Sequence, residues 1–129
     1  MPGRTLIRTG FFRAVFADEP WSRQADRCAW RPPTDLYETD QAVVVRVEVA
    51  GMRREDFEVT FDKGILRIRG HRTDAGQQRV YHIMEIPFGY FCTDVDFGGA
   101  FVLNSEQMSA QYENGFLTVT MPKTEVPST

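Results

Sequence analysis

Cysteine is scarce in this chain, which has only Cys28 and Cys92, far apart and in different segments. Two such residues pair only if the fold brings them together, and two ligands cannot complete a tetrahedral zinc site. Two reduced thiols are therefore expected. Histidine is equally sparse. His71 and His82 have no spaced His or carboxylate pair beside them, so solvated loop or strand positions are expected rather than a metal or proton-transfer site. Net charge is low, −3 over 129 residues, which is too small and of the wrong sign for general nucleic-acid affinity. Arg46, Arg67 and Arg69 also stand singly between apolar neighbours, not in a basic patch.

Other absences exclude more. No apolar run approaches the ~20 residues of a membrane-spanning helix. Arg4, Arg8 and Arg13 interrupt the apolar residues Leu6, Ile7, Phe11 and Phe12, so these residues do not read as a signal peptide and a cytoplasmic protein is expected. Gly98 and Gly99 lack the following Lys-Ser/Thr of a phosphate loop, and Ser105 and Ser109 sit in no nucleophile elbow. Asp94 and Asp96 share one strand face and read as polar surface rather than as an acid pair. Neither an enzyme, nor a cofactor, nor the use of ATP is expected.

What is present is a globular composition, 42% hydrophobic and 26% charged, in a length that suits one domain with a short arm. Three zones follow: an arm over 1–31, closed by Pro32 and Pro33; a strand-rich domain over 32–123; and a polar tail over 124–129.

Alternation is clearest over 42–50, where Val43, Val45, Val47 and Val49 share one face and Arg46 and Glu48 the other. Phe57, Val59 and Phe61 alternate with Glu58, Thr60 and Asp62. A turn at Lys63-Gly64 returns the chain as a strand over 65–70, with Leu66 and Ile68 inward. The polar stretch 71–78 reads as loop, 80–86 as a short strand stopped by Pro87, and 90–97 as a strand with Phe91, Val95 and Phe97 on one face. Residues 101–109 read as loop. Asn114-Gly115 then joins strands over 109–113 and 116–121. Short strands with Gly and Pro turns, and no sustained helical period, predict an all-β antiparallel sandwich.

The pattern Ala110-x-x-x-Asn114-Gly115-x-Leu117-x-Val119, running on to Pro122-Lys123, resembles the most diagnostic motif of the small heat-shock proteins, the α-crystallin domain. The segment 30–40, the strand over 43–51, the charged turn from Arg53 to Asp56, the strand over 65–70 and the run from Glu85 to Phe91 resemble other elements of that family in the same order. The resemblance implies an immunoglobulin-like β-sandwich with a partly helical or disordered arm and a short tail. It also implies an ATP-independent holdase that binds unfolding client proteins and self-associates. The tail has Val126 but Ser128 where the family's second anchoring aliphatic residue stands, so a dimer or small oligomer is expected.

For such a protein the chemistry is burial of apolar surface. The arm offers Leu6, Ile7, Phe11, Phe12, Val15, Phe16, Trp21 and Trp30. Ile7, Phe11 and Val15 fall four apart, as do Phe12 and Phe16, which suits a short amphipathic helix. Client binding is the leading reading of this arm, ahead of packing on the sandwich or contact with a membrane surface. By resemblance, a groove between edge strands would be lined by Phe57, Val59, Phe61, Ala110 and Tyr112, although strand residues of this type are more often core. Val80, Tyr81, His82, Ile83, Met84 and Ile86 would form a strand exchanged between subunits, the competing reading being a loop folded back on its own sheet. The rival function is an adaptor of the CS-domain type that binds one folded partner.

Overall fold

A computed structural model describes the backbone of residues 4–6 together with residues 28–99 and 101–124. Among these residues eight strands form: β1 (Arg4–Leu6), β2 (Thr34–Glu38), β3 (Ala42–Glu48), β4 (Phe57–Asp62), β5 (Ile65–Arg72), β6 (Gly89–Asp96), β7 (Ser109–Glu113) and β8 (Phe116–Pro122). They make two four-stranded sheets, ordered β1-β4-β5-β6 and β2-β3-β8-β7, in which every strand pair is antiparallel. This is the antiparallel sandwich that the alternation predicts. Among the described residues the only helical pieces are 3-10 turns at Arg54–Asp56 and Ser105–Gln107, and no helix is long and apolar enough to cross a membrane.

The core lies between the sheets, where the inward faces of the strands meet. Val43, Val45, Val47 and Val49 oppose Phe57, Val59, Leu66, Ile68 and Phe91, while Leu117, Val119 and Met121 extend the valine layer on β8. Two hairpins set the register. Lys63 and Gly64 have φ of 53° and 79°, and Asn114 and Gly115 have 53° and 81°. Both central residues are thus left-handed, as the twist-matched two-residue turn requires. At Gly70 the constraint is space: the Phe91 ring lies where a β-carbon would stand.

Several expectations are corrected. Cys28 and Cys92 are joined as a disulfide, their Cα atoms 5.5 Å apart, and are not two separate thiols. The cause is the docking of the residues before Pro32 along β6, a long-range contact that cysteine spacing does not reveal. Ala29 N–H donates to the Tyr90 carbonyl (2.8 Å) and Cys92 N–H to the Trp30 carbonyl (3.2 Å). Trp30, grouped above with the arm, therefore belongs to the sandwich, and its ring packs on Phe91 with centroids 5.2 Å apart. Residues 80–86 form no strand within the single chain. Glu58 and Thr60, placed outward by alternation, are only 4% and 9% exposed. The stretch 101–109 is better ordered than a plain loop: Leu103 bridges Lys123 and Met108 enters the core.

Candidate functional site

The candidate surfaces are those where the described sandwich leaves large apolar side chains exposed. Between β5 and β6 the chain makes a 16-residue excursion, 73–88, whose composition changes midway from polar to apolar. Val80, Ile83, Met84 and Ile86 are 83%, 78%, 62% and 62% exposed, and Tyr81 is also exposed. So many large exposed apolar side chains in one run make it a candidate interaction site.

The excursion is braced at both ends. At its base Arg72 donates from Nε and Nη2 to the Pro87 carbonyl (3.1 and 2.5 Å) and from Nη1 to the Ala50 carbonyl (3.2 Å). The same guanidinium lies 4.5 Å from the Trp30 ring centroid and 5.2 Å from that of Phe88. Further out, the Tyr81 hydroxyl donates to Asp74 Oδ2 (2.7 Å), and Arg79 Nη1 lies 3.5 Å from Asp74 Oδ1. Accepting from Tyr81 and facing Arg79 lowers the Asp74 pKa, while donating to Asp74 raises that of Tyr81. The excursion is thus held in shape by polar contacts, and its apolar side chains point to solvent.

A second candidate surface lies on β2, which among the described residues pairs only with β3. Its outer edge pairs with no other strand among the described residues, and Leu36 and Tyr37 are both exposed. Arg46 on β3 orders this face, donating to Asp35 Oδ2 (2.8 Å) and lying 5.5 Å from the Tyr37 ring centroid and 5.9 Å from that of Phe116. The bond to Asp35 raises the Arg46 pKa.

The other candidates fall elsewhere. Phe57 and Val59 are fully buried and Ala110 nearly so, whereas Phe61 and Tyr112 are half-buried. Phe57 and Tyr112 do meet, with centroids 5.0 Å apart, so β4 and β7 come together at one rim of the sandwich. Tyr112 is structural there: its hydroxyl donates to the Val49 carbonyl (2.7 Å) and accepts from Met52 N–H (3.3 Å). The outer edge of β4 is taken by β1, with Leu6 opposite Thr60. Ile7, Phe11, Phe12, Val15, Phe16 and Trp21, and the helix expected through them, lie outside the described residues. His71 packs edge-on against Tyr90, and His82 is an exposed residue of the excursion. Asp94 pairs with Arg67 and Arg69, while Asp96 accepts from Gly98 N–H. Sequence reading missed Arg72 and the Asp74–Arg79–Tyr81 brace, because side-chain bonds across a loop leave no periodic trace. Leu36 and Tyr37 did carry a signal, two large apolar residues on a short strand just after Pro33.

Comparison with known proteins agrees with this architecture. The family model described as "Hsp20/alpha crystallin family" matches residues 35–129. Small heat shock protein C2 of Rickettsia felis is 31% identical over 73% of this chain and 61% of its own length. This chain therefore spans less than two thirds of that relative. Heat shock protein 16 of Schizosaccharomyces pombe is 32% identical over 76% of this chain and 70% of its own. Among solved structures, heat shock protein 16.0 of Schizosaccharomyces pombe superposes with a TM-score of 0.67 at 30% identity, covering 78% of this chain and 93% of that one. With its β-sandwich and its Asn114-Gly115 hairpin, the chain belongs to the Hsp20/alpha crystallin family.

Proposed function

We propose that the chain is an ATP-independent holdase that binds partly unfolded proteins and keeps them from aggregating. The observation that carries this reading is the contiguous exposed run from Val80 to Ile86, held open on a rigid sandwich. An unfolding client exposes apolar surface, and covering such surface is worth ~25 cal/mol per Å². Family membership supports the same reading. The aromatic residues Phe11, Phe12, Phe16 and Trp21 supply further adaptable contact.

Self-association is part of the proposal. The run 80–86 and the β2 edge are complementary: one is an exposed apolar segment with no strand partner among the described residues, and the other is a strand edge that bears Leu36 and Tyr37. Addition of the segment from one subunit to β2 of another satisfies both. A dimer or small oligomer acting in the cytoplasm is the proposed form. The groove role of Phe61, Ala110 and Tyr112 is the weaker part, since β1 pairs along β4 at that rim.

The test is to heat a thermolabile client with the full chain in the absence of nucleotide and to size the soluble fraction by light scattering. The expected result is a soluble complex containing both proteins, with the chain alone larger than a monomer. A precipitated client beside an unchanged chain would refute capture, and a monomeric chain bound to one folded protein would favour an adaptor.

A further inference from the structure

The cysteine pair plays no part in the surfaces described above. Among the described residues β6 is the last strand of its sheet, and residues 28–31 run along its outer edge. Ala29 N–H donates to the Tyr90 carbonyl and the Trp30 carbonyl accepts from Cys92 N–H, so residues 28–31 cover this part of the edge. Around them, Trp30 Nε1 donates to the Gly89 carbonyl (3.3 Å) and Arg31 Nε to Thr93 Oγ1 (3.1 Å). These polar contacts are part-buried, and beside them the Trp30 ring packs against the core. The one covalent tie is Cys28–Cys92, whose Cα separation of 5.5 Å is normal for a disulfide. Both cysteines are half-buried, within reach of small oxidants and reductants. A tie of this kind between a sheet edge and its cover, in a protein proposed for a reducing compartment, suits regulation better than permanent reinforcement.

We propose that Cys28 and Cys92 form a redox modification site, a clasp that a peroxide closes and a small dithiol opens. On closing, one thiolate attacks a peroxide oxygen, the O–O bond breaks, and the departing hydroxide takes a proton to become water. The resulting sulfenic acid is attacked at sulfur by the second thiolate. The S–S bond forms, the S–O bond breaks, and a second water leaves. The two sulfurs together lose two electrons and the peroxide gains them. On opening, a dithiol exchanges with the disulfide, leaving two protein thiols and its own cyclic disulfide. Closed, the clasp holds residues 28–31 over the β6 edge. Open, it removes the covalent tie at Cys28 and leaves residues 28–31 on the noncovalent contacts above, which loosens the cover of the edge toward strand addition by another chain. The proposal rests on the cytoplasmic location proposed above and not on the capture of clients.

The test uses the full chain treated with hydrogen peroxide or with dithiothreitol. Peptide mass mapping without reduction should find Cys28 linked to Cys92 within one chain after peroxide, and free thiols after dithiothreitol. Tryptic cleavage of the Arg27–Cys28 bond should be several-fold faster in the reduced protein. Cys28→Ser, which leaves β6 unaltered, should be cleaved at the fast rate with or without peroxide. Equal cleavage of the oxidised and reduced protein would overturn the clasp, as would linkage only between chains. A peroxide response retained in Cys28→Ser would overturn it too.

Discussion

The guanidinium of Arg72 lies over the Trp30 ring, 4.5 Å from its centroid, while donating to the carbonyls of Pro87 and Ala50. One side chain thus joins the end of β5, the segment docked on β6 and the base of the exposed excursion. Arg72→Ala should cost roughly 1–2 kcal/mol, combining a lost cation–π contact with lost charged hydrogen bonds. Amides over 80–86 should exchange faster. Arg72→Lys should not restore the wild-type pattern, because an ammonium lacks the planar fork that serves two carbonyls and a ring at once. Denaturant titration and hydrogen exchange check both.

Gly70 and Phe91 make a pair of a different kind, glycine against ring. The Phe91 ring fills the place of a β-carbon on Gly70 and is itself only 1% exposed, so it has little freedom to retreat. Gly70→Ala should destabilise by about 1–3 kcal/mol through overpacking. Phe91→Leu alone should also destabilise, but the double variant should be more stable than the sum of the two losses implies. A double-mutant cycle in denaturant measures this.

Much of the fold was legible because it depends on local rules. Alternation on β3 put Val43, Val45, Val47 and Val49 inside, and Lys63-Gly64 and Asn114-Gly115 marked their hairpins through the positive φ that such turns demand. The misses share one cause, contacts remote in sequence. Cys28 reaches Cys92 only through the docking of residues 28–31 on β6. Glu58 and Thr60 are buried although alternation assigns them to the outer face. The run from Val80 to Ile86 has strand-forming residues, yet a strand needs a neighbour, and none pairs with it among the described residues. Its composition therefore revealed an apolar candidate site, but not the Arg72 clamp or the Asp74–Tyr81 bond that shape it.

If the excursion joins subunits, charge placed on it should separate them. Ile83→Asp combined with Val80→Asp should shift the chain toward monomer in sizing by light scattering. Both side chains are largely exposed, so the unfolding midpoint of the separated subunit should stay within about 0.5 kcal/mol of wild type. An unchanged mass would place the subunit contact elsewhere.

The Asp74–Tyr81 brace sets a pH window for the loop. The Asp74 pKa is lowered from 3.8, first by the Tyr81 hydrogen bond, so its contribution is present above the unfolded value and is lost as pH falls through the folded one. The Tyr81 pKa is raised from 10.0 by the same bond, so its contribution is present below the unfolded value and is lost as pH rises through the folded one. Loop amides should therefore be most protected between these limits and loosen on either side. Tyr81→Phe should remove most of the dependence, which hydrogen exchange measured at several pH values would reveal.

Client capture is tested most directly by the light scattering of a thermolabile protein heated with a molar excess of the full chain and no nucleotide. Suppression of scattering at near-stoichiometric ratio is the expected result. Scattering that rises as fast and as far as in the client alone would contradict the holdase reading.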